Sequence, residues 1–238
     1  MKVIALIPAR YNATRFQGKL MAQLGNTSVI RRTYDATIAT ELFNEVLVVT
    51  DSKIIFDEIS THGGKAVMSK NEHESGSDRI AEAAADMDVD IIVNVQGDTP
   101  FIKREPLQKL LAQFDDRSVH VASLMQFLKD EKEIDDPNFV KVAVDKKMNA
   151  LFFSRSRIPY PRDEKAAIIY YEHIGVYAFR KQALIDFTHW APTPLELAER
   201  IECLRYLEHG VAIRMVVVDY MGIEIDTPED LVKAARLL

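Results

Sequence analysis

Val3-Ile4-Ala5-Leu6-Ile7 is an unbroken aliphatic run with no polar residue to turn toward water. A strand of that kind needs both faces covered, and it belongs to parallel sheets flanked by helices. Comparable β-rich runs recur at 46–50, 66–68, 91–95, 119–125, 140–144, 151–153, 174–179 and 212–218. Helical patterns separate the early ones. Ser28 precedes a stretch in which Ile30, Tyr34 and Ile38 share a face, Ser52 precedes Ile55 and Ile59, and Ser77 precedes Ile80, Ala81, Ala84 and Ala85. This alternation through the first hundred residues predicts an α/β fold with a mostly parallel central sheet and helices on both faces.

The second half is less regular and predicts a mixed sheet. Its strands lie closer together, with turn chemistry at Asp145-Lys146-Lys147 and a rigid loop at Ile158-Pro159-Tyr160-Pro161-Arg162. Thr193, Pro194 and Glu196 read as a capping box opening a long helix, and Thr227-Pro228-Glu229-Asp230 opens a C-terminal one. The alternating charges of 129–136 read as a solvated surface. With 238 residues, no internal repeat and no linker, the chain is expected to be a single domain, 1–238.

The loop after the first strand carries Arg10, Arg15 and Lys19, with no acidic residue between positions 8 and 19. Uncompensated cations at the carboxyl end of a first strand suit a polyanion, most simply a nucleoside triphosphate. A solvated basic loop is the plainer alternative, disfavoured because the chain as a whole has a formal net charge of −6. That acidity also argues against a nucleic-acid partner, which would reward a broad basic face. One cysteine, Cys203, allows no intrachain disulfide and no cysteine-based zinc site. No apolar run approaches the roughly 20 residues of a membrane span, and the start Met1-Lys2-Val3 does not resemble a signal peptide, so the expected setting is cytoplasmic, away from membrane.

A second apolar strand, from Ile91, ends in Gln96-Gly97-Asp98, which brings Asp98 to the same sheet edge as the basic loop. A carboxylate there, beside phosphate, suits Mg²⁺, which takes one or two carboxylates and completes its shell with phosphate oxygens. A turn or capping role before Pro100 is the alternative. Asp226, just before a capped helix, is the second carboxylate candidate, with a structural anchor as its alternative. The polar loop of His73, Ser75, Ser77 and Arg79 suits a ribose or base edge, or simple capping. Arg155, Arg157 and Arg162 surround the proline loop, where Arg suits a carboxylate ligand. His173 and Tyr177 stand on either side of a short strand segment. No Walker loop, G-x-G-x-x-G, H-E-x-x-H or G-x-S-x-G occurs.

Taken in order, Ile7-Pro8-Ala9-Arg10-Tyr11 with Thr14-Arg15 and Gly18-Lys19, Ser75-Gly76-Ser77-Asp78-Arg79, Asn94-Val95-Gln96-Gly97-Asp98, Phe153-Ser154-Arg155, His173-Ile174-Gly175-Val176-Tyr177 and Asp226-Thr227-Pro228-Glu229-Asp230 closely resemble the CMP-Kdo synthetase (3-deoxy-manno-octulosonate cytidylyltransferase) family. The resemblance is collinear from Val3 to the end of the chain. It implies the nucleotide-diphospho-sugar transferase (Rossmann-like) fold, with a nucleotide-binding half, 1–120, and a sugar-acid and dimerisation half, 121–238. It implies transfer of CMP from CTP to Kdo with release of pyrophosphate, for lipopolysaccharide assembly, by a Mg²⁺-dependent cytoplasmic homodimer. Arg10 and Lys19, with Arg15, would hold the triphosphate, and the Ser75–Arg79 loop would lie near the cytidine. Asp98 and Asp226 would ligate Mg²⁺. Gln96, Arg155, Arg162, His173, Tyr177 and Glu202 would form the sugar-acid pocket.

The chain departs from the family pattern at Gln17, Leu20-Met21, Thr99, Cys203 and Ile223-Glu224-Ile225. The phosphate and metal positions are kept, while Cys203 stands where the sugar pocket usually has glutamine. The implied alternative acceptor is therefore an 8-amino derivative of Kdo or another 2-keto sugar acid. A sialic-acid type cytidylyltransferase fits the Gln-Gly-Asp and His-Ile-Gly-Val-Tyr motifs poorly. A catalytically silent nucleotide-binding regulator is disfavoured because Lys19, Asp98 and Asp226 are all present.

Overall fold

A computed structural model describes residues 1–12, 16–73, 75–163, 165–219 and 222–238. Arg15 therefore lies outside the described residues. In chain order the first half contains β1 (Val3–Ala9), β2 (Gln23–Leu24), β3 (Thr27–Ser28), α1 (Val29–Ala39), β4 (Glu45–Thr50), α2 (Lys53–Thr61), β5 (Ala66–Met68), α3 (Gly76–Ala84), β6 (Ile91–Asn94) and α4 (Arg104–Ala112). The second half contains β7 (Val121–Leu128), α5 (Glu131–Asp135), β8 (Lys141–Val144), β9 (Ala150–Ser154), β10 (Tyr170–Arg180), α6 (Lys181–Thr188), α7 (Pro194–Glu199), α8 (Leu204–Glu208), β11 (Ile213–Val217) and α9 (Pro228–Ala235).

One sheet takes strands from both halves in the order β11-β7-β10-β6-β1-β4-β5, with β8 and β9 attached beside β10. The first-half strands of this sheet, β1, β4, β5 and β6, are parallel, as the aliphatic runs predict, while β2 and β3 form a separate antiparallel pair. β1 shows why those runs lack alternation. Val3, Ala5 and Ile7 pack into one core with Ile30 of α1 and Leu107 of α4, while Ile4 and Leu6 pack into the other with Ile80 and Ala84 of α3. Both faces of the strand are dry, so both sets of alternating side chains are apolar. β10 enters antiparallel between β6 and β7, giving the mixed character of the second half.

The chain leaves β1 toward β4 and β5 on one side, then returns to place β6 on the other. Strand order therefore reverses at β1. The crevice beyond the carboxyl ends of β1 and β6 is the switch point at which open α/β sheets bind ligands. Arg10 follows β1 directly and Gln96-Gly97-Asp98 follows β6, so both expected loops open onto it.

Four local expectations are corrected. Ile38 is 47% exposed, whereas Thr33 and Thr37 are buried beside Tyr34. Eight residues at about 100° each leave Ile38 roughly 80° off the direction of Ile30. The cap of α3 is Ser75, whose hydroxyl accepts from Asp78 N–H at 3.1 Å, so Ser77 lies inside the helix. The long helix from Thr193 is two short ones: α7 stops at Arg200 in the left-handed region, φ 55°, and α8 restarts at Leu204. Arg155 takes the end of α7, donating from Nε to Glu199 C=O at 2.7 Å. Finally, His173 and Tyr177 are not separated by their strand segment; their ring centroids are 5.3 Å apart on β10.

Candidate active site

The crevice is lined by Arg10, Phe16, Lys19, His73, Ser75, Gly76, Arg79, Gln96, Asp98 and Asp226, among others. At its centre the Lys19 ammonium donates to Asp98 Oδ2 at 2.5 Å and to Asp226 Oδ1 at 2.8 Å. Asp98 and Asp226 are 128 positions apart. Their meeting depends on the backbone: Ile225 N–H donates to Asp98 C=O at 3.0 Å, which pins the segment before α9 against the loop that follows β6. Thr227 then caps α9, accepting from Asp230 N–H while the Asp230 carboxylate accepts from Thr227 N–H, so Asp226 is held one residue before a fixed helix start.

Local chemistry sets the other side of the crevice. Gly97 is closely packed where it stands, because a Cβ there would come within 3.2 Å of Pro8 C=O and of Ile30 Cδ1. Thr99, one of the departures, donates its hydroxyl to Gln96 C=O at 2.6 Å and is buried, so it closes the Gln96–Thr99 turn from behind. Gly18, at φ 68°, turns the first loop into the short 3₁₀ segment Lys19–Met21, and Leu20 is buried in the core. Lys19 is thereby anchored next to its carboxylates. Burial alone would lower its pKa, but Asp98 and Asp226 together outweigh burial and leave it raised, so Lys19 is a cation.

Arg10 is exposed at the mouth and has no side-chain partner among the described residues, which leaves its guanidinium for an anion. Arg79 also lines the crevice but is buried and committed, donating to Asp51 at 2.6 Å and Ser69 at 2.9 Å. Gln96 donates its amide to Gly175 C=O at 2.9 Å, tying the crevice to β10.

The residues expected on the sugar side divide. His173 keeps part of its surface open, yet its ring sits against Phe153 and Tyr177 and meets Ser123 Oγ at 3.0 Å. Desolvation drives its pKa down to about 3, so it is neutral at ordinary pH. Tyr177 is buried, with Cys203 and Glu202 facing its hydroxyl; burial first, then those two groups, pushes it well above the usual tyrosine value. Glu202 accepts from Ser77 Oγ at 2.7 Å and lines a second cavity that shares His73 and Ser75 with the crevice. Arg155 spends its donors on Glu199 C=O and Pro137 C=O, and Arg162 is exposed with no side-chain partner among the described residues. His173, Tyr177, Glu202, Arg155 and Arg162 are not among the residues lining the crevice itself.

Sequence reasoning missed Glu224 and Asp51. Glu224 precedes Asp226 by two in a strand-like sequence, and that period was the available signal. Its residue surface is exposed, but desolvation, followed by the charges of Asp98 and Asp226, raises its carboxyl pKa. Among the described residues no cluster of three or more His, Cys, Asp or Glu side chains is arranged to hold a metal ion. The available donor set is thus the Asp98–Asp226 pair, close enough to share one ammonium. Two hard oxygen donors side by side in a crevice that also holds cations fit Mg²⁺, which takes one or two carboxylates and completes its shell with other oxygens.

A switch-point crevice with cations for phosphate and paired carboxylates for a hard ion has the chemistry of nucleotidyl transfer. Similarity to known proteins narrows the class. The cytidylyltransferase family model matches residues 4–213, most of the chain, and the chain belongs to that family. It is 56% identical to a 3-deoxy-manno-octulosonate cytidylyltransferase of Flavobacterium johnsoniae, over 100% of this chain and 99% of the relative. A protein of the same name from Syntrophus aciditrophicus is 41% identical over 100% and 97%. Among solved structures, CMP:2-keto-3-deoxy-manno-octonic acid synthetase complexed with CTP superimposes with a TM-score of 0.94 at 36% identity, covering 100% of this chain and 98% of that one. The 4-diphosphocytidyl-2C-methyl-D-erythritol synthase of Anaerococcus prevotii shares the fold, with a TM-score of 0.65 at 18% identity. Among the described residues no helix is long and apolar enough to cross a membrane.

Proposed function

We propose that this chain transfers CMP from CTP to the anomeric hydroxyl of 3-deoxy-manno-octulosonate (Kdo), giving CMP-Kdo and pyrophosphate for lipopolysaccharide assembly. The observation that carries this reading is the Asp98–Lys19–Asp226 cluster at the sheet's switch point, in a chain alike over its full length to relatives of that name. The sugar hydroxyl attacks the α-phosphorus in line. A P–O bond forms as the bond to pyrophosphate breaks, and the hydroxyl proton leaves to solvent or product. Catalysis of such a step rests on positioning and charge neutralisation, with little covalent work for the protein.

Arg10 and Lys19, with Arg15, hold the triphosphate, and the cap of α3 at Ser75, with Arg79 behind it, flanks the cytidine. Asp98 and Asp226 hold Mg²⁺. That ion, when bound, neutralises charge building on the phosphate oxygens. Gln96, His173, Tyr177, Glu202, Arg155 and Arg162 make the sugar-acid side; His173, being neutral there, can accept or donate a hydrogen bond without adding charge. Within the one domain, 1–120 serves the nucleotide and 121–238 the sugar and self-association. A cytoplasmic homodimer completes the reading, and the exposed Phe127, Leu151, Tyr160 and Ile169 of the second half give it apolar surface to bury.

Pyrophosphate release from CTP and Mg²⁺ with a panel of 2-keto sugar acids tests the assignment. Turnover is expected with Kdo; turnover confined to an 8-amino or sialic-type acid would move the substrate, and none with any acid would end the reading. Arg162→Lys should raise KM for the sugar by roughly one to two orders of magnitude and leave KM for CTP alone. Lysine keeps the charge but loses the planar fork that grips a carboxylate. Both constants unchanged would leave Arg162 as a surface ion.

A further inference from the structure

Glu202 is held from the nucleotide side of the molecule. Ser77, 125 positions earlier, donates its hydroxyl to Glu202 Oε1 at 2.7 Å. Ser77 is 2% exposed and sits in the first turn of α3, just behind Ser75 and Gly76, which line the crevice. Its hydroxyl does no capping, because Ser75 fills that role. A helical serine with no cap to make usually turns outward to water or back to the preceding turn; this one is buried and aimed at a carboxylate. Among the described residues, the other charges acting on Glu202 are Asp78, which repels it, and Arg205, whose donors at 2.7 and 2.5 Å are taken by Glu196. Neither gives the Glu202 carboxylate a direction. Ser77 does, through the hydrogen bond its hydroxyl donates at 2.7 Å.

We propose that Ser77 is a positioning residue for the sugar acid: its hydroxyl fixes the Glu202 carboxylate and ties the sugar side to the helix that borders the nucleotide. This rests on the cytidylyl-transfer reading and on Glu202 belonging to the sugar side. A carboxylate free to rotate presents its oxygens to the sugar hydroxyls only part of the time, so sugar recognition suffers while the triphosphate contacts do not.

The test is steady-state kinetics of Ser77→Ala, Ser77→Cys and Glu202→Gln, with the double variant Ser77→Ala/Glu202→Gln, each checked by thermal melting. Alanine suits a helix interior, and cysteine keeps the volume while donating weakly. Both Ser77 variants should raise KM for Kdo about tenfold, with KM for CTP within a factor of two. In the Glu202→Gln background Ser77→Ala should cost less than about twofold, because the partner it positions is already altered. Equal losses for CTP and sugar, full additivity in the double variant, or Ser77→Cys behaving as wild type would overturn the proposal. Glu202→Gln with an unchanged KM for Kdo would overturn it at the placement of Glu202. Failure of the cytidylyl-transfer reading would appear separately, as absent pyrophosphate release by the unmodified protein.

Discussion

Asp98→Asn is expected to lower turnover by at least about three orders of magnitude while the protein stays folded. Charge neutralisation by a bound ion contributes several kcal/mol to such reactions, and each 1.4 kcal/mol is about a factor of ten. Asparagine keeps the shape and one oxygen but removes the charge that makes the pair a ligand for a hard cation. The fold should survive because the contact that pins the segment before α9 comes from the Asp98 backbone carbonyl, which asparagine retains. The side chain is 19% exposed and its partner is Lys19, so the remaining ion pair with Asp226 still satisfies the ammonium. The checks are kcat at saturating CTP and Mg²⁺ and a thermal melt. Activity within tenfold of wild type would remove Asp98 from the metal site. Asp226→Asn should behave alike, and it is the more telling variant, because a structural role before a capped helix would show in the melt instead.

The parts of this fold that were legible in the sequence are those whose causes are local. β1 and β6 were readable because a strand dry on both faces has no choice but an aliphatic run, and their loops followed at once. That placed Arg10, Lys19 and Asp98 at one sheet edge without any structure. The starts of α7 and α9 were legible because Thr-Pro punctuation is a property of adjacent residues. What was not legible depends on distant chain. The joining of Asp226 to Asp98 requires the Ile225 backbone bond, and the commitment of Arg79 to Asp51 requires β4 and α3 to share a face. The break after α7 has the same character: nothing near Arg200 announces it, and the carbonyl of Glu199 is taken by Arg155, 44 positions earlier. Ser75 and Ser77 could each cap on local grounds, and packing chose between them by turning Ser77 toward Glu202. The family resemblance supplied roles for His173, Tyr177 and Glu202 that no spacing rule reaches.

Lys19→Met should abolish useful turnover by removing a phosphate cation, but its informative result lies in stability. Methionine matches much of the stem and removes the ammonium, so Asp98 and Asp226 lose the cation that bridges them. Removing one partner of a fully buried pair costs about 3–5 kcal/mol. These side chains are 16–33% exposed, so water screens part of the repulsion and the expected cost is about 1–3 kcal/mol. For a chain of this size that is a fall in Tm of roughly 3–10 °C. The same carboxylates are the proposed seat of Mg²⁺, and in the unmodified protein an incoming ion has to compete with Lys19 for them. In the variant it does not. Mg²⁺ alone, without nucleotide and at matched ionic strength, should therefore raise the Tm of Lys19→Met by several degrees more than that of wild type, since an ion binding only the folded state stabilises it in proportion to the logarithm of its saturation. Asp98→Asn in the Lys19→Met background should erase the difference. A Tm response to Mg²⁺ that is the same in wild type and Lys19→Met would mean that the ion and the ammonium do not share these two carboxylates, and the metal would have to be placed elsewhere in the crevice.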